Sequence, residues 1–172
     1  LYGFTYVQLG LLTAAGFFAQ MAADISLVFL VDRISRKKLA LFAAVLSAAG
    51  LLFYGCTPWL FSAENIYGGI LAATAVFAFA GGMLEIVLTG VADSLPQAEG
   101  RGGICLLHTA YAWAQVALAL ALLAFVWGFG AERWNTAVFV LAFVPLSALL
   151  LLARAQFPPR QVRAPVKAAF KP

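Results

Sequence analysis

The sequence predicts an all-α, polytopic membrane helix bundle, and three observations carry that prediction. Of the 172 residues, 64% are hydrophobic and only 10% charged, and the mean hydropathy is +0.96, more apolar surface than a soluble domain of this size can cover. The apolar residues come in several long runs separated by short polar breaks, and about 20 such residues span a bilayer core of about 30 Å. The runs are continuous rather than alternating. Unpaired backbone groups are too costly in lipid, so helices are favoured over a barrel.

Five spanning helices are expected. The first runs from about Phe4 to Val31, longer than a perpendicular span requires, so it is tilted or begins with an interfacial turn at Tyr2 to Tyr6. The second covers Leu39 to about Cys56, where Pro58 is expected to stop it and Trp59 suits a membrane interface. The third covers Tyr67 to Ala92, with Gly81, Gly82 and Glu85 inside it. The fourth covers Gly103 to Phe129 and carries His108, Tyr111, Trp113 and Gln115. The fifth covers Thr136 to Ala153, with Pro145 as an expected kink, and leads into a basic linker or tail at 154–172 containing four prolines. The chain begins with Leu1 and shows no signal peptide, so a fragment or processed product is expected, with an odd number of helices upstream if the native N-terminus is cytoplasmic.

Sidedness follows from the basic residues. Arg33, Arg36, Lys37, Lys38, Arg101, Arg154, Arg160, Arg163, Lys167 and Lys171 fall on one side and Arg133 alone on the other, which places the turns at 32–38 and 93–102 and the tail in the cytoplasm of a multi-pass cell-membrane protein. The net charge of +4 is that of cytoplasmic loops and calls for no nucleic acid, with at most attraction to anionic lipid. Cys56 and Cys105 lie a membrane thickness apart and cannot pair. No cysteine or histidine spacing fits a metal, and no nucleophile elbow, zinc helix or phosphate loop is present, so neither an enzyme nor a cofactor is expected.

Three ionisable residues interrupt the apolar runs: Asp24, Glu85 and His108. An acid at mid-bilayer costs about 2.5 to 3.5 kcal/mol on insertion scales, so each should face a bundle interior or a water-filled cavity. Asp24 is eight residues before Asp32, Glu85 eight before Asp93 and His108 seven after Arg101, which sets all three roughly 10 to 12 Å inside their helix ends. One titratable layer across three helices suits a proton or cation relay; buried structural groups locking helices together are the alternative. Tyr111 and Gln115 lie within about 60° of His108, a stripe suited to a cavity wall that hydrogen-bonds a polar solute, or to interhelical bonding.

The turn Val28-Phe29-Leu30-Val31-Asp32-Arg33-Ile34-Ser35-Arg36-Lys37-Lys38 resembles the cytoplasmic turn between the second and third helices of the major facilitator superfamily of secondary transporters, Gly-x-x-x-Asp-Arg-x-Gly-Arg-Arg/Lys-Arg/Lys. Asp32, Arg33, Arg36, Lys37 and Lys38 match, while Val28 and Ser35 replace the glycines. Gly81-Gly82-Met83-Leu84-Glu85, with Asp93, Pro96, Arg101-Gly102 and the run Leu106-Leu107-His108-Thr109-Ala110-Tyr111-Ala112-Trp113-Ala114-Gln115, is similar to the fourth and fifth helices of the fucose-permease-like branch. The resemblance implies helices two to six of a twelve-helix fold, with the remainder of the same chain as partner; helices eight to twelve would have the same sidedness. It implies an alternating-access transporter, proton-coupled or driven by another cation, for a small polar solute such as a sugar or organic anion. Glu85 would be the coupling acid, His108 a cavity residue and the Asp32 turn a cytoplasmic gate. The rival expectation is a non-transporting membrane scaffold or sensor.

Overall fold

The computed structural model describes residues 2–30, 33–94 and 102–157. Asp32 of the expected gate turn, the loop at 95–101 with Arg101, and the tail from 158 onward lie outside the described residues. Five α-helices follow one another: α1 (Tyr6–Leu30), α2 (Arg36–Leu60), α3 (Ile66–Ser94), α4 (Gly102–Phe129) and α5 (Trp134–Arg154), with a single 3-10 turn at Ala131–Arg133 ahead of α5. All five are long and apolar enough to cross a bilayer. The chain is a membrane-embedded helix bundle.

The helix ends have local causes. α1 starts at Tyr6 because Thr5 and Gln8 form a capping box: the Thr5 N–H donates to Gln8 Oε1 (2.9 Å) and the Gln8 N–H to Thr5 Oγ1 (3.2 Å). α2 does not stop before Pro58, as the sequence suggested, but runs to Leu60. The N–H that Pro58 lacks would have bonded the Tyr54 carbonyl, and the Thr57 hydroxyl donates there instead, at 2.8 Å. Pro145 likewise lies inside α5, buried.

In a bilayer, helices adhere where small residues let backbones approach. α2 buries Ala40, Ala43, Ala44, Ala48, Gly50 and Gly55, and it packs on both α3 and α5. A Cβ on Gly50 would lie 2.8 Å from the Phe77 backbone nitrogen, and one on Gly55 would lie 2.9 Å from the Phe139 ring. α1 packs on the other flank of α3, where a Cβ on Gly82 would meet Gln20 and Ala23 at 3.0 and 3.1 Å. The densest core, Ala23, Leu27, Leu39, Ala40, Ala43, Met83 and Val87, fills the end of the bundle that carries Arg36 and Lys37. The opposite end is collared by aromatic rings, with Tyr2 and Tyr54 both edge-on to Trp134 and Phe4 edge-on to Tyr67. These are called the basic and aromatic ends below.

α4 stands apart. It touches α3 and α5 only lightly, and none of its residues with a described side chain is buried.

Alanine at Gly50 should lower the thermal unfolding midpoint in detergent, because overpacking against backbone costs about 1 to 3 kcal/mol. Alanine at Gly10, where nothing lies within 4 Å of the added carbon, should raise it slightly, since glycine costs a helix about 0.5 to 1 kcal/mol. Equal stabilisation by both would show that Gly50 does not set the α2–α3 spacing.

Candidate functional site: a trough between α4 and the rest of the bundle

Because α4 stands off, a cavity of about 590 Å³ opens between it and the other four helices. Leu12, Thr13 and Gly16 of α1, Leu51 and Tyr54 of α2, Thr74, Phe77 and Ala78 of α3, and Leu118, Leu122 and Val126 of α4 wall it, and Trp134, Ala137, Val138 and Leu141 of α5 complete it. It occupies the half of the bundle towards the aromatic end. Its walls are almost entirely carbon. Of the few polar groups, the Thr74 hydroxyl is already committed to the Ile70 carbonyl at 2.8 Å.

The five expected pathway residues, Asp24, Glu85, His108, Tyr111 and Gln115, do not line this cavity. They continue its walls towards the basic end. On α4, His108, Tyr111 and Gln115 share one sector of about 80° with Leu118, Leu122 and Val126, at 3.6 residues per turn. On α3, Thr74, Ala78, Gly81 and Glu85 fall within about 60° of one another. On α1, Gly16, Gln20 and Asp24 follow in steps of four residues. By helical phase the cavity's walls thus extend along the bundle as one line of residues, here called the trough, apolar in its aromatic half and polar in its basic half. A Cβ on Gly81, one turn before Glu85, would meet nothing within 4 Å.

The three ionisable groups sit at comparable depth in the structure. Leu30 ends α1 six residues past Asp24, Ser94 ends α3 nine past Glu85, and Gly102 starts α4 six before His108, which is about 9 to 14 Å from the helix ends at 1.5 Å per residue. Their environments differ. Glu85 is half-buried, and its Oε2 accepts a 2.8 Å hydrogen bond from the Gln20 side-chain amide across the α1–α3 seam. Asp24, His108, Tyr111 and Gln115 are exposed, and among the described residues none has a hydrogen bond or ion pair. Gln20 was not singled out from the sequence; the available signal was an amide in an apolar helix one turn from Asp24.

At the basic end the gate-turn cations divide into two pairs. Arg36 Nη1 donates to the Gly90 carbonyl and to Ser94 Oγ, both at 3.1 Å, fastening the start of α2 to the end of α3. Lys37 Nζ donates to the Ala153 and Ala155 carbonyls at 2.8 and 3.0 Å, capping α5, where a helix C-terminus welcomes a cation. Arg33 and Lys38 are exposed and make no such bond among the described residues.

Comparison with known proteins found no matching family model, no matching curated protein and no matching solved structure. Function rests on the trough.

Lys37→Met should destabilise the protein by about 1 kcal/mol in denaturant titrations and speed amide exchange at 151–155, since partly exposed carbonyls lose their charged donor. Lys38→Met should stay within about 0.5 kcal/mol of the parent. Matching effects of the two would remove Lys37 as the fastening of α5.

Proposed function

We propose that the chain forms part of a secondary active transporter of the major facilitator type, working by alternating access and coupled to protons, with the basic end in the cytoplasm. The observation that supports this reading best is the Gln20–Glu85 bond at the point where the apolar cavity gives way to the polar half of the trough. A carboxyl group held at membrane depth by one neutral donor, with a second acid and a histidine near its level, can exchange a proton when a solute reaches its other oxygen. The unpartnered hydrogen-bonding groups of Tyr111 and Gln115 on the facing wall suit a small solute with polar groups, and a rocking motion would expose the trough to either side in turn.

Arg36 and Lys37 fit the cytoplasmic gate reading as fixed anchors. They tie α2 to two helix ends, leaving Arg33 and Lys38 as the cations available to meet a second bundle.

Two measurements bear on this. In a Cys56→Ser, Cys105→Ser background, a membrane-impermeant maleimide should label Ser62→Cys in intact cells and Ser35→Cys only after permeabilisation; the reverse pattern would invert the orientation. In vesicles loaded with a pH-sensitive dye, one class among monosaccharides, carboxylates and amines should drive proton movement. Glu85→Gln should abolish that coupling while exchange of labelled solute persists at saturating solute concentration. Undiminished proton movement in Glu85→Gln would remove Glu85 from coupling, and silence of the parent towards every class would remove transport.

A further inference from the structure

The two halves of the trough specify more than polarity. Between the bundle's ends, the helices that wall it carry two acids, Asp24 and Glu85, and no lysine or arginine among the described residues. The basic side chains of these helices sit at the basic end, where Arg36 and Lys37 are committed to helix-end carbonyls, and Arg133 lies in the turn at the aromatic end. An anionic solute would therefore find no counter-charge at the depth of the site. A sugar would fare no better in the cavity, where its hydroxyls would exchange water for walls of leucine, phenylalanine and valine and leave their hydrogen bonds unmade. A cavity of this volume lies in the range of drug-sized ligands. Three aromatic side chains line it, Tyr54, Phe77 and Trp134, and Tyr111 adds an exposed aromatic ring, of the kind that attracts a cation, to the α4 stripe that continues the cavity wall.

We propose that the trough binds an amphipathic organic cation, its apolar or aromatic body in the cavity against Phe77 and Leu122 and its single positive head beside Asp24 and Glu85. Ala78, at the near edge of the cavity, is seven residues from Glu85, so head and body are separated by about 10 Å. The Gln20 amide leaves Glu85 with one carboxylate oxygen for the head, since its hydrogen bond is made at Oε2. Asp24, exposed and without a partner among the described residues, supplies the second contact. His108 lies on the α4 stripe that continues the cavity wall, and its ring nitrogens offer a further hydrogen bond. This assignment deepens the transport reading by naming the class of solute.

The test is equilibrium binding of ethidium, a planar aromatic monocation, to the whole purified chain in nanodiscs of zwitterionic lipid, followed by fluorescence anisotropy. Saturable binding is expected, displaced by tetraphenylphosphonium but not by fluorescein or glucose. Glu85→Gln and Asp24→Asn should each weaken it about tenfold or more, and Leu122→Trp, which fills the cavity, should do the same. Trp113→Phe, on the far face of α4, should leave it unchanged, and matched unfolding midpoints identify variants that are properly folded. Absence of saturable binding, or binding indifferent to folded Asp24→Asn and Leu122→Trp, overturns the proposal. So does displacement by fluorescein, which would indicate an anion site, or a dimeric mass with no ethidium bound, which would indicate that a helix of a second copy fills the cavity. Failure of the two readings is separable: cation binding without proton movement in vesicles keeps this site and ends the transport reading. Sugar- or carboxylate-driven proton movement without ethidium binding does the opposite.

Discussion

The structure depends on how closely α3 can be approached. In lipid the surroundings are as apolar as the side chains, so helices gain little from mere contact and adhere where small residues admit a neighbour's backbone. Gly50 brings α2 onto Phe77, and Gly82 admits Gln20 and Ala23 of α1. α1 and α2 take the two flanks of α3, and α4 stands off from the remaining face, which becomes a wall of the trough. The same approach builds the polar contact within it. Glu85 lies three residues past Gly82, and only because α1 closes down at that glycine does the Gln20 amide reach the carboxylate at 2.8 Å.

Much of the architecture is legible in the sequence, because the bilayer imposes a length on every apolar run. The five expected segments match the five helices to within about four residues at their ends, and the largest error has a local cause. Pro58 reads as a terminator by its own chemistry, whereas the Thr57 hydroxyl, by serving the Tyr54 carbonyl, lets the helix continue to Leu60. The sequence leaves open a non-helical lead-in at Tyr2 to Tyr6, and α1 does begin at Tyr6, where Thr5 and Gln8 act as a reciprocal pair of which neither is informative alone.

The candidate site was legible in its polar half and not in its apolar half. Asp24, Glu85 and His108 announce themselves because charge is rare at that depth. Leu118, Leu122 and Val126 do not, since a leucine facing lipid and a leucine facing a cavity are the same residue in a hydrophobic run. What distinguishes them is helical phase: they extend the line of His108, Tyr111 and Gln115 along α4. Arg36 and Lys37 were read for their charge at a gate. Their hydrogen bonds to the ends of α3 and α5 depend on helix packing that adjacent positions in a basic run do not reveal.

Consecutive residues at the head of α2 thus hold two different helices, Arg36 gripping α3 and Lys37 gripping α5. Mechanically this makes α2 a crossbar. A tilt of α2 carries the basic ends of α3 and α5 with it, and α1 follows through its seam with α3. Four helices are thus bound to one another, and α4, lightly touching, is the wall of the trough that the bundle holds least.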